Sequence, residues 1–128
     1  MTKPTHALTV LQPWAWAIAE GVKTIENRLW RTNYRGPIYI HAGRKLLPAQ
    51  LYACGATLKA SGSIRELPEF ESLPRGVLIA VVDIVDCGRF DDDPWAIRAT
   101  GMWHFRLANV RLLPEPIPKR GQQGLWPV

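Results

Sequence analysis

The densest group of side chains able to do chemistry lies in Gly21-Val22-Lys23-Thr24-Ile25-Glu26-Asn27-Arg28-Leu29-Trp30. Successive residues of an extended strand face opposite sides, so Thr24, Glu26, Arg28 and Trp30 are expected on one face while Ile25 and Leu29 enter the core. That face offers a hydroxyl, a carboxylate, a guanidinium and an aromatic ring, with Lys23 at its start. Amide hydrolysis needs an activated nucleophile, a stabiliser for the oxyanion and a proton for the leaving amine. Lys23 as a free amine can deprotonate Thr24 or a water, and as an ammonium it can stabilise the oxyanion. Glu26 can act as general base toward water. The competing structural reading is a Glu26–Arg28 ion pair on a solvated face, which contributes little.

Other residues invite weaker functional readings. His41 ends a β-rich stretch beside Arg44 and Lys45 and can meet a phosphate, or serve as a satisfied structural histidine. Trp14 or Trp30 is expected near the site, because tryptophan stacks on bases, whereas Trp95, Trp103 and Trp126 read as packing. The Asp91–Asp93 run reads as a solvated loop or a cap for the segment starting at Pro94. Cys54 and Cys87 have no Cys or His neighbours at metal-ligand spacing, and His6, His41 and His104 are scattered. No metal and no cofactor is expected, and both cysteines read as buried free thiols.

The elements that must position these residues follow from patterning. Ala7–Leu11 reads as a strand, followed by a helix over Pro13–Glu20 with proline in its first turn and Gly21 at its end. Thr24–Trp30 and Pro37–His41 read as paired strands joined by the turn-forming stretch Thr32–Gly36. Leu46–Ala60 reads as a second helix, stopped by Ser61-Gly62-Ser63. Gly76–Val85 is the strongest strand, and its Val, Leu, Ile and Ala content predicts burial on both faces. Arg89–Thr100 is irregular, Trp103–Leu113 resumes an apolar alternation, and Pro114–Val128 is a proline- and glycine-bearing tail. Strands without regular βαβ alternation, interrupted by helices, predict an α+β fold, a small mixed β-barrel with two or more helices flanking its mouth.

With 128 residues, 47% hydrophobic and 21% charged, one globular domain over residues 1–128 is expected. The longest apolar run, Val77–Val82, is too short to span a bilayer, and Met1–Pro13 lacks the apolar centre of a secretion signal, so a cytoplasmic location is expected. Residues 1–50 carry seven cationic against two acidic side chains, whereas the remainder carries nine of each sign. A basic N-terminal region suggests an anionic partner such as a phosphate backbone or a nucleotide.

Leu11-Gln12-Pro13-Trp14-Ala15, then Ile18, Gly21, Lys23-Thr24, Glu26, Arg28, Trp30, Gly36 and Ile40-His41-Ala42, resemble the ASCH domain of the PUA-like superfamily. Gly76–Asp86, Trp103–Asn109, Pro116-Ile117-Pro118, Gly121 and Gly124-Leu125-Trp126 extend the resemblance over nearly the whole chain. The resemblance implies a PUA-like barrel with a cleft between the first helix and the Lys23–Trp30 strand, used for RNA or nucleotides. Gln12, Pro13, Trp14, Arg28, Trp30, His41, Arg44 and Lys45 are then the candidate binding residues. The Gly-x-Lys-Thr segment is also similar to that of bacterial amidohydrolases that deacetylate N4-acetylcytidine with Lys, Thr and Glu, which makes Lys23, Thr24 and Glu26 the catalytic candidates. Lys23 matches their lysine; Glu26 stands where their threonine does, and Asp91, Asp92 and Asp93 are the acidic residues nearest their later glutamate.

Three function classes follow: first, as the leading expectation, a metal-independent amidohydrolase of N4-acetylcytidine, then an RNA-binding module that does no chemistry, and a protein-interaction module. A ribonuclease using the same cleft is a variant of the first, with Lys23 and Arg28 on a phosphorane. The expected partner is a nucleoside, a nucleotide or single-stranded RNA, with no membrane and no obligate protein partner.

Overall fold

The computed structural model describes residues 3–128, so the first two residues of the expected domain lie outside the described residues. In chain order the elements are β1 (His6–Gln12), α1 (Trp14–Ala19), β2 (Ile25–Arg28), β3 (Gly36–Leu46), α2 (Pro48–Ala60), a single 3-10 turn (Phe70–Ser72), β4 (Val77–Gly88), β5 (Trp103–Pro118) and β6 (Leu125–Pro127). The strands form one six-stranded sheet in the order β2-β5-β4-β3-β1-β6. Among the described residues only the β1–β3 pair is parallel. The chain is thus mixed α+β, an open six-stranded sheet with two helices.

The apolar run of β4 lies inside the sheet, and Leu78–Val82 is buried throughout. One face packs Ile79, Ala80, Val82 and Ile84 with Leu8, Ile38, Ile40, Phe105 and Ile18 of α1. On the other, Leu78 and Val81 meet Ala7, Tyr39 and Trp126. Register shifts punctuate β1, β3 and β4–β5, and such bulges bend strands and increase twist. The sheet accordingly curls: Arg28 of β2, at one edge, donates a hydrogen bond to the Thr9 carbonyl of β1, near the other.

One pairing expectation and one facing expectation fail. The Thr24–Trp30 stretch does not pair with Pro37–His41; β2 pairs with β5, and β3 lies between β1 and β4. Both edges of β3 are taken by long apolar strands, and the Thr32–Gly36 stretch is a wandering loop rather than a tight hairpin turn. Leu29 does not enter the core; it is 72% exposed, because β2 ends at Arg28 and a bend interrupts the alternation. The tail is also more ordered than its composition predicts, since β5 runs to Pro118 and Leu125–Pro127 forms β6. Prolines 114, 116 and 118 are tolerated there because β2 pairs with β5 only over Trp103–Arg106, leaving one edge of the later part free of ladder partners.

Candidate functional site

Helix α1 ends in a Schellman arrangement: the Gly21 N–H donates to the Ile18 carbonyl and the Val22 N–H to the Ala17 carbonyl, with Gly21 at φ +77°. This turn sends the chain back under the helix and delivers Lys23 to a buried position. Lys23 is 2% exposed and Glu26 7%. The Lys23 Nζ donates to the Ile25 carbonyl and, over 3.1 Å, to Glu26 Oε1. From the other side Arg28 Nε donates to Glu26 Oε2 over 3.0 Å, and its Nη2 lies 2.9 Å from the same oxygen. Arg28 Nη2 is also the donor that reaches the Thr9 carbonyl, over 2.6 Å. Burial by itself raises the pKa of Glu26, but the Lys23 ammonium and the Arg28 guanidinium outweigh it and hold the carboxyl below its usual value. Glu26 is therefore an ionised, doubly held carboxylate.

This triad forms the floor of a cleft of about 620 Å³ whose walls include Trp14, Trp30, Trp95 and Ile97. Trp14 is held by a 2.7 Å hydrogen bond from its indole N–H to Gln50 Oε1 of α2, and it meets Trp95 edge-on at 6.2 Å and 89°. The Lys23 ammonium stands 5.9 Å from the Trp14 ring centroid. Trp30 rests edge-on against Phe105 at 5.1 Å. Beyond Thr9, Arg28 and Trp30, which belong to both, a second groove of about 680 Å³ continues along Gln122, Gln123, Gly124 and Leu125.

Of the residues singled out from sequence, Lys23, Glu26, Arg28, Trp14 and Trp30 come together here. Thr24 does not: it is exposed and borders a small pocket with Gly21, Asn109 and Val110, while its carbonyl accepts from the Leu107 N–H. The chain turns before β2 begins at Ile25, so strand alternation does not extend back to Thr24. Gln12 and Pro13 are buried behind the cleft rather than in it. The Gln12 amide donates to the Pro74 carbonyl and accepts from the Trp16 N–H, tying α1 to the loop before β4. His41 lies away from the cleft, 1% exposed. Its Nε2 is 2.7 Å from the Lys119 carbonyl and its Nδ1 3.1 Å from Thr9 Oγ1. A carbonyl only accepts, so the proton sits on Nε2, and the Thr9 hydroxyl donates to Nδ1 while accepting from the Trp126 indole. Arg44 and Lys45 are exposed at the end of β3, outside the cleft. Asp91–Asp93 also lie outside it, and Asp93 caps the Trp95 N–H at 2.9 Å.

Trp95 is the residue that sequence reasoning missed: it packs, at 6% exposure, and also lines the cleft. Its loop is pinned by Asn27, whose amide donates to the Trp95 carbonyl and accepts from the Ile97 N–H. Nothing in the sequence signals where that loop returns. Behind the floor, Cys54 is buried and burial pushes its thiol up to about 11. Among the described residues no group of three His, Cys, Asp or Glu side chains is placed to hold a metal ion, and no helix is long and apolar enough to cross a membrane.

Residues 8–104 match the family model of the ASCH domain. The chain belongs to the ASCH domain family. It is 37% identical over 82 residues to the human protein Activating signal cointegrator 1, and 35% identical over 82 residues to its mouse counterpart. The aligned stretch covers 62% of this chain and spans 14% of the length of those relatives. The ASCH match takes in all of the cleft's triad and its Trp14, Trp30 and Trp95 walls, whereas the Gln122–Leu125 side of the second groove lies beyond it.

Proposed function

We propose that this ASCH domain binds an unpaired nucleobase, presented by single-stranded RNA or a free nucleoside, in the cleft over Lys23, Glu26 and Arg28. The observation that carries the reading is a doubly held carboxylate on the floor of a cleft walled by Trp14, Trp30 and Trp95. A cavity of this size suits a nucleoside, aromatic walls accept any base by its π-face, and a fixed polar floor orients it. The working unit is one cytoplasmic domain over residues 1–128, its curled sheet a PUA-like barrel, with no membrane or obligate protein partner. Titrating the protein with cytidine, N4-acetylcytidine and short RNA while following tryptophan fluorescence tests it. Trp30→Ala should keep the fold and weaken binding by ~1–3 kcal/mol, the value of one base stack. Trp95→Ala should instead cost ~3–5 kcal/mol of stability. Saturable RNA or nucleoside binding that ignores Trp30 would place the base elsewhere.

One observation favours a second reading, hydrolysis of N4-acetylcytidine in the same cleft: the Lys23 ammonium lies 3.1 Å from Glu26, a donor for an oxyanion beside a carboxylate. Thr24 lies outside the cleft, so water is the nucleophile and Glu26 its base in this reading. Glu26 is a weak base while both cations hold it, which is why binding is the first reading. Chromatography of N4-acetylcytidine after incubation decides: turnover that falls ~100-fold in a folded Lys23→Ala variant establishes the enzyme.

A further inference from the structure

Counted along the chain, the net positive charge belongs to the first fifty residues, but the fold groups cations from both halves. Arg44 and Lys45 at the end of β3 are exposed, and so are Arg75, Lys119 and Arg120. The backbone holds these segments together. Arg75 Nη1 donates to the Arg44 carbonyl at 3.3 Å, the Gly76 N–H to the Ala42 carbonyl, and the Lys119 N–H to the Gly76 carbonyl. The Arg44 side chain lies flat on Gly76, so close that a Cβ there would stand 3.2 Å from its Cζ and Nε. Among the described residues none of the five cations is ion-paired.

The cluster joins the cleft through the tail. Gly121 packs on Thr9 and His41, where a Cβ would meet His41 Cε1 at 2.9 Å, and Gln122–Leu125 then wall the second groove, which shares Thr9, Arg28 and Trp30 with the cleft. Arg120 stands two residues before Gln122 and Lys119 three, at most about 11 Å of chain. We infer that a single-stranded polynucleotide whose base occupies the cleft continues along the Gln122–Leu125 groove and lays its next phosphates on Arg44, Lys45, Arg75, Lys119 and Arg120. This rests on the base-binding reading and adds the ligand's chemical class, a polymer rather than a free nucleoside. Unpaired exposed cations beside an aromatic-walled pocket are what a single strand recognises: stacking for the base, a positive track for the backbone.

The test compares a labelled single-stranded oligonucleotide of roughly ten nucleotides, read by fluorescence polarisation, with a mononucleotide read by tryptophan fluorescence. Wild-type protein should bind the oligonucleotide about tenfold or more tightly at ~50 mM salt. The Arg75→Ala/Lys119→Ala/Arg120→Ala variant should keep its Tm and the mononucleotide signal, while its slope of log affinity against log salt flattens by about two. Arg75→Lys/Arg120→Lys preserves charge and should keep the wild-type slope. Equal affinity for the two ligands, an unchanged slope in the alanine variant, or a lysine variant as impaired as the alanine one overturns the inference. So does retention on phosphatidylserine vesicles without oligonucleotide binding. If the mononucleotide gives no signal while oligonucleotide binding still falls with the cluster, the phosphate track stands and the base cleft is the part that fails.

Discussion

Lys23, Glu26 and Arg28 illustrate how burial changes what a side chain can do. On a solvated strand Glu26 and Arg28 would form a pair of little value, but here the carboxylate is 7% exposed and has a cation on each oxygen. Removing one member of a buried pair leaves the other uncompensated, so Glu26→Gln should lower stability by ~3–5 kcal/mol in urea unfolding at neutral pH. The pH dependence has a definite sign. Because the folded-state pKa of Glu26 lies below its ordinary value of 4.5, its contribution is fully present above that pH and is lost as pH falls through the folded pKa. Wild-type stability should therefore fall more steeply than that of Glu26→Gln below about pH 4.5. Parallel curves would show that the pair is not the source. Lys23 and Glu26 were recognisable from residue type, whereas their burial was not, because it depends on α1 folding over them.

At the scale of elements, the cleft is made where β2 and the loop between β4 and β5 meet the end of β1, the start of α1 and Gln50 and Thr57 of α2. Asn27 is the fastener, with one hydrogen bond given to the Trp95 carbonyl at 2.9 Å and one accepted from the Ile97 N–H at 2.8 Å. His104 adds a second anchor on the same loop, its Nδ1 accepting from the Phe90 N–H and its Nε2 donating to the Ile97 carbonyl. Asn27→Ala leaves the part-buried Trp95 carbonyl and the exposed Ile97 N–H without their partner, so a stability loss of ~1 kcal/mol is expected. The more specific readout is hydrogen exchange: the Ile97 amide should exchange faster while the β4 core amides keep their protection. Unchanged exchange at Ile97 would remove Asn27 from its positioning role. The helices and the β4 strand were legible because their signals are local: a proline start and glycine end for α1, a Ser-Gly-Ser stop for α2, an unbroken apolar run for β4. The partner of β2 was not, since pairing with β5 joins residues far apart in sequence.

Across the whole molecule the C-terminal tail acts as a strap. The Trp126 indole donates to Thr9, Thr9 donates to His41, and His41 donates to the Lys119 carbonyl, so β1, β3 and the tail share one polar chain beside a buried apolar cluster. Trp126→Phe keeps most of the bulk but leaves the Thr9 hydroxyl without its donor, and a loss of ~1 kcal/mol is expected. Trp126→Ala should cost ~3–5 kcal/mol, because it opens a cavity against Ala7, Tyr39, Leu78 and Val81. Thermal unfolding of both variants measures the difference; similar losses would mean that packing alone holds the strap.

By itself the sequence determined the mixed α+β class, the β4 core strand, both helices and the family, because each rests on local periodicity, turn chemistry or a contiguous motif. It also brought Trp14, Lys23, Glu26, Arg28 and Trp30 to attention, and the fold gathers them in one cleft. Only the tertiary structure decided that Thr24 turns away, that His41 has both nitrogens occupied, that Trp95 closes the cleft and that Arg75, Lys119 and Arg120 join Arg44 and Lys45. Those outcomes depend on where a strand starts and which distant segments pair. Such contacts are settled by total buried area and by satisfying every buried donor and acceptor, and neither can be read from a single window of sequence.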